Sequence, residues 1–229
     1  MLRFACRPIP LMRPSHIVFD LDGTLIDSAG AILASYRAAF AACGVMPVQS
    51  IEADIVGPPL WETLCQLAGG GDTALISQLA DAFRRSYDTG GLLETRAYPG
   101  VDDLLRALRG ADMGLLIATN KRLRPTRRIV EHLGWGGLFD SVYALDFFVP
   151  PLPNKSAMLG QLLIEQEMDA QRAIYVGDRA EDGEAAEANG LPFIAATWGY
   201  GLLPAEGVAA RWREAATPAV LKQILLGEA

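Results

Sequence analysis

Two carboxylates stand two positions apart at the end of the most strand-like stretch of the chain, HIVFDLDGTLIDS (16–28). The apolar run stops at Asp20, and Asp22 follows just before Gly23-Thr24. The two-residue period of a strand puts both acids on one side. Carboxylates that close cannot both be charged cheaply: either one takes a proton or a cation sits between them. Asp20 is placed as a nucleophile, since a carboxylate can accept a phosphoryl group covalently. Asp22 is placed as a general acid or base, its pKa raised by its neighbour.

Other polar residues fall where an open α/β sheet binds ligands, just beyond the carboxyl ends of the strands. They are Thr119-Asn120-Lys121 after GLLIA, Asp146 after SVYAL, and Asp178 after AIYVG. Asp178 supplies a further hard oxygen donor, and carboxylates plus substrate phosphate are the usual way of holding Mg²⁺. Charge makes the cation necessary. Asp20, Asp22 and Asp178 would repel a phosphate monoester carrying about two negative charges, and one Mg²⁺ with one lysine offsets the three carboxylates.

The elements that must position these groups can be read from the pattern. Five short apolar runs, 16–20, 114–120, 141–146, 173–178 and 192–197, read as parallel strands covered on both faces. Helical stripes separate them, such as Val101, Leu104, Leu105 and Leu108. The alternation predicts a doubly wound, Rossmann-like α/β core. Residues 28–95 break it, with Ala- and Leu-rich helical stretches punctuated at Gly57-Pro58-Pro59, Gly69-Gly70-Gly71 and Gly90-Gly91. A crossover needs only about a dozen residues, so this interval reads as an inserted all-helical cap domain. The expected division is a core of 15–27 plus 96–229, a cap of 28–95 and an N-terminal extension of 1–14, with Met1 and Met12 both candidate starts. The expected hinges are 28–30 and 97–100. Gly57 and Pro58 should face the site, with Trp61 beside them and Glu62 and Arg96 as weaker contacts.

The 229 residues are 51% hydrophobic, enough to bury a sizeable core. A net charge of −7 argues against a nucleic-acid or membrane-surface partner. The basic run KRLRPTRR (121–128) then reads as a helix flank beside an anion site. Three cysteines without metal-type spacing read as free thiols in a reducing compartment. No run approaches the ~18 apolar residues of a membrane span, and the start lacks a signal-peptide core. A cytoplasmic location and a monomer or homodimer are the expectation.

FDLDGTLIDS (19–28), LLIATNK (115–121), a later lysine and YVGDRAED (175–182) resemble, in order, the four motifs of the haloacid dehalogenase-like hydrolases. The resemblance implies that Asp20 forms an aspartyl-phosphate. It implies that Asp22 protonates the leaving group, later activates water, and gives its backbone carbonyl to Mg²⁺. Gly23, Thr24 and Thr119 would hold the phosphoryl oxygens, with Asn120 and Lys121 nearby. Lys155 would neutralise phosphate and nucleophile, and Lys121 is its alternative. Asp178 would bind Mg²⁺ and Asp182 would support it, although Asp182 also suits a first-turn helix acid. IVGPPLWETL (55–64), AYPGVDDLLRAL (97–108) and TWGYG (197–201) resemble the phosphoglycolate phosphatase-like branch, implying a small phosphorylated metabolite as substrate. Related 5′-nucleotidases and pyrophosphatases share much of that wording. A phosphomutase or a phospho-accepting signalling module fits less well, since the latter would carry its acidic pair and its phosphorylated Asp on different strands.

Overall fold

A computed structural model of the chain describes residues 14–201 and 212–227. The extension with its two candidate starts lies outside them, apart from Pro14. Six parallel strands form the central sheet: β1 (His16–Phe19), β4 (Gly114–Thr119), β5 (Ser141–Ala144), β6 (Ala173–Gly177), β7 (Phe193–Ala196) and β8 (Arg213–Ala215). Their spatial order is β5-β4-β1-β6-β7-β8. The chain steps outward from β1 in one direction, then returns and steps outward in the other. The reversal leaves a crevice between β1 and β6 at their carboxyl ends.

Alternate residues of each strand enter different cores. Ile17, Phe19, Ile117 and Val176 face one side, which α4 (Val101–Gly110), α5 (Leu123–His132) and α8 (Pro218–Leu226) cover. Val18, Leu116, Ala118 and Tyr175 face the other, under α6 (Lys155–Glu165) and α7 (Ala180–Ala188). The register is level across the centre, Phe19 pairing with both Ile117 and Val176. The polar residues that follow these strands therefore emerge at one edge.

The predicted helical interval contains α1 (Ala29–Cys43), α2 (Leu60–Leu67) and α3 (Thr73–Tyr87). Three features differ from the expectation. The two crossings are joined by a short antiparallel ribbon of β2 (Ile26–Asp27) and β3 (Arg96–Ala97); two residues are too few to show a period. Strand β8 is an edge strand with two of its three residues exposed, so it carries no apolar run. The third strand ends at Ala144, two residues short of the expected Asp146, which instead accepts the Leu123 N–H and caps α5.

Candidate active site

Asp20 follows β1 and still donates its N–H to the Val176 carbonyl at 2.8 Å, so it leaves the sheet in register with β6. Lys155 opens α6, where Asn154 caps the helix by accepting the Ala157 N–H. From there its Nζ reaches 3.0 Å from Asp20 Oδ1 and also contacts Asp182 Oδ1. Lys121, just beyond β4, lies 2.8 and 3.0 Å from the two carboxylate oxygens of Asp22. The two lysines that the sequence left as alternatives are both present, one for each aspartate.

Asp20, Asp178 and Asp182 are buried and bring carboxylate oxygens within 4.8 Å of one another. Burial raises the Asp20 carboxyl to about 6, with the Lys155 charge opposing and the Asp182 and Asp22 charges adding. Asp178 is pushed up to about 8, first by burial and then by the charges of Asp182 and Asp20. Burial alone would lower Lys155, but Asp182 and Asp20 outweigh it and hold its pKa well above the ordinary lysine range. Asp22 does the same for Lys121. Three oxygen donors without nitrogen or sulfur suit a hard cation such as Mg²⁺. The turn around them leaves no room for a side chain: Gly23 has φ +87°, and a Cβ there would lie 2.1 Å from Asp178 Oδ2. The Gly201 N–H donates to Asp178 Oδ2 at 2.8 Å, while Thr24 Oγ1 is 3.5 Å from Asp178 Oδ1. Asp182 also takes the part of a helix-cap acid, its Oδ2 accepting the Arg179 N–H.

The Asp22 side chain stands outside the acidic cluster. Ser28 Oγ donates to its Oδ1, and Tyr200 Oη lies 3.1 Å from Ser28 Oγ. From the sequence Ser28 was expected only as a hinge residue, and Tyr200 stood only within TWGYG, with no site role for either. Tyr200 sits in TWGYG just past β7, where the strand-end rule would have found it. Thr119 is buried at the end of β4, its Oγ1 accepting the Lys121 N–H at 3.2 Å. Asn120 Nδ2 donates to the Gly57 carbonyl, leaving its buried Oδ1 without a partner. Gly57 has φ +127° and packs on Arg179, whose guanidinium reaches the Val56 carbonyl at 2.6 Å.

Beside Asp22 and Lys121, between the inserted helices and the sheet edge, lies a cavity of about 60 Å³. Pro58 lines it together with Tyr36, Phe83 and Tyr87; the Phe83 ring is tilted against Tyr36 at 4.6 Å and stacked on Tyr87 at 5.5 Å between centroids. A groove of about 280 Å³ runs past Lys155, Asn120, Pro58 and Glu62. Trp61 is not brought into the site: it is 43% exposed and lines neither space. Arg96 is exposed on β3 and likewise lines neither.

Comparison with known proteins gives a family and several named relatives. The family of haloacid dehalogenase-like hydrolases matches residues 17–196. The tyrosine-protein kinase PtkA of Mycobacterium tuberculosis is 35% identical over 82% of this chain, which spans only 64% of that relative's length. The solved structure of PtkA matches with a TM-score of 0.75 at 30% identity, covering 93% of this chain and 98% of that one. A 5′-nucleotidase of Pseudomonas aeruginosa is 30% identical over 83% of this chain and 86% of its own. A phosphoglycolate phosphatase of Agrobacterium fabrum is 30% identical over 82% of each. With four motifs in order on the matching fold, the chain belongs to the haloacid dehalogenase-like hydrolases.

Proposed function

We propose that the protein is a Mg²⁺-dependent phosphatase that hydrolyses a small, phosphoglycolate-like phosphate monoester through an aspartyl-phosphate at Asp20. One observation carries this reading: Asp20 and Asp22 occupy different environments, one in an acidic cluster with Lys155, the other paired with Lys121. A cation in the acidic cluster, with Lys155, would keep Asp20 ionised for attack, and Asp22 lies outside that cluster and lines the cavity where a leaving oxygen would sit.

The Asp20 carboxylate attacks phosphorus as the ester P–O bond breaks, and Asp22 gives its proton to the departing oxygen. Asp22 then takes a proton from water as that water attacks the phosphoryl group, which restores Asp20 and releases phosphate. Thr119 and the turn at Gly23-Thr24 hold phosphoryl oxygens, and Lys155 offsets their charge. Mg²⁺ held by Asp20, Asp178 and the Asp22 carbonyl, with Asp182 behind, would neutralise the oxygens between which charge moves. The working division is a core of 15–27 and 96–229 under a mobile cap of 28–95, which excludes water on closing.

The cavity beside Asp22 supports a small leaving group. A 5′-nucleotidase is the second reading, favoured by the relative of that name. Tyrosine phosphorylation, suggested by PtkA, calls for nucleotide binding and is the third. Among the described residues no helix is long and apolar enough to cross a membrane; a cytoplasmic monomer or homodimer is our working assignment.

The test is phosphate release from phosphoglycolate, sugar phosphates, nucleoside monophosphates and pyrophosphate, with Mg²⁺ and with chelator. Metal-dependent release from phosphoglycolate is expected. Preferential release from nucleotides would support the second reading, and ATP-dependent tyrosine phosphorylation without release the third.

A further inference from the structure

Two spaces open beside the reacting groups, and their linings differ in charge. Asp22 lines the cavity between the inserted helices and the sheet edge, and the basic residues that line it are Lys121 and Arg122. The groove past Lys155 carries Glu62, Glu181 and Glu184 on its walls, and Asp22 does not line it. A leaving oxygen must come to Asp22, so the leaving group belongs in the cavity, where cations outnumber carboxylates. In a chain of net charge −7 that is a local reversal of sign. Donors are left over there. A lysine ammonium has three N–H donors, and Lys121 gives two to Asp22, at 2.8 and 3.0 Å. Arg122 donates twice to Asp88, at 3.0 and 2.6 Å, which does not exhaust a guanidinium. Tyr87, whose ring centroid lies 4.7 Å from Lys121 Nζ, is 2% exposed and its hydroxyl has no hydrogen-bond partner. Burial holds the Tyr87 pKa above the ordinary tyrosine range, so that hydroxyl keeps its proton.

We infer that this cavity is a subsite for a leaving group with a negative charge of its own, a carboxylate on the carbon that bears the ester oxygen, and that Lys121 and Arg122 are its specificity-determining residues. The inference rests on the phosphatase reading above and adds the residues that recognise the alcohol. An ester oxygen hydrogen-bonded to Asp22 lies close to Lys121 Nζ, because Lys121 contacts the same carboxylate. A carboxylate on the adjacent carbon spans that gap. The planar fork of Arg122 matches a carboxylate in shape, and the Tyr87 hydroxyl adds a neutral donor. Lys121 contacts both oxygens of Asp22; a leaving-group carboxylate that shares the ammonium frees one of them to face the ester oxygen. An uncharged alcohol makes no such exchange, and a cationic one is repelled by both basic residues.

The experiment varies the charge of the leaving group at constant size. Phosphoglycolate, its amide and phosphoethanolamine are two-carbon phosphate esters whose leaving groups are anionic, neutral and cationic. With Mg²⁺ the wild-type protein should show kcat/KM falling in that order. Phosphoglycolate should lead the amide by roughly tenfold or more, the contribution of a hydrogen bond between charged groups. Lys121→Met lowers activity on every ester, because Lys121 also holds Asp22, so the readout is the ratio of phosphoglycolate to amide. That ratio should collapse toward one in Lys121→Met and fall in Arg122→Met, there chiefly through KM. Asp88→Asn loosens the clasp on Arg122 but keeps the guanidinium, and should preserve the ratio. A wild-type preference for the amide or for phosphoethanolamine would overturn the inference, as would a ratio that survives both substitutions or falls equally in Asp88→Asn. Release from sugar phosphates, nucleotides or pyrophosphate but from none of these three would overturn it and leave the phosphatase reading standing. No release from any ester would end both.

Discussion

Asp178 carries a prediction with a definite sign. Its pKa rises from 3.8 to about 8 on folding, through burial and the charges of Asp182 and Asp20. Between those values the folded metal-free chain keeps a proton that the unfolded chain has lost. Its contribution to stability therefore declines as pH rises through this window and is fully lost above about 8. With chelator present, the protein should melt at a higher temperature at pH 6 than at pH 8, and Asp178→Asn should flatten that difference. Mg²⁺ bound at this cluster would compete with the proton, so its stabilisation should be larger at pH 8; thermal denaturation at the two pH values checks both. Lys155 makes a second case. It is the lysine that contacts Asp20 and Asp182, and Lys155→Met leaves two buried carboxylates uncompensated. The metal-free variant should lose about 3–5 kcal/mol in chemical denaturation, and Mg²⁺ should return part of that. The residues that sequence made legible are those whose spacing has a chemical reason: Asp20 with Asp22, and Asp178 at a strand end. Ser28 was legible only as a hinge residue and Tyr200 only by its place past a strand end, because a hydroxyl that serves another side chain has no spacing of its own.

Among the elements, β1 and the turn after it set the geometry. Gly23 combines φ +87° with a Cβ position that Asp178 already occupies. Gly23→Ala should add about 1–2 kcal/mol of left-handed backbone strain and displace Asp178. Calorimetry should show Mg²⁺ binding weakened beyond what the loss of stability explains. The buried strands were legible because an element covered on both faces must be apolar throughout. The same logic hid β8, which is exposed at the sheet edge, and β2–β3, which are too short for any pattern. Asp146 shows the cost of reading a strand by its apolar run alone. The run continues into a short turn, and the acid at its end caps α5 instead of joining the site.

At the scale of the whole molecule, the sheet carries Asp20 and Asp22 at its edge and the inserted helices cover the space beside Asp22. The sequence made the insertion legible by its length and lack of strands, but not which of its residues face the site. Trp61 was the chemically prominent candidate, yet it is partly exposed and lines neither space; the wall is made by Tyr36, Phe83 and Tyr87 from α1 and α3. Which face of a helix turns inward depends on the partner it packs against, and that is a tertiary fact. The central claim is covalent transfer of a phosphoryl group to Asp20. Its most direct test uses Asp22→Asn protein with Mg²⁺ and acetyl phosphate. That substrate needs no proton to react, whereas the enzyme-bound product needs Asp22 to activate water. The mixture is quenched in acid, reduced with borohydride and digested for mass spectrometry. The account predicts that Asp20 alone is reduced to the alcohol. Reduction at another carboxylate, or an unmodified Asp20 while phosphate is still released, would contradict it.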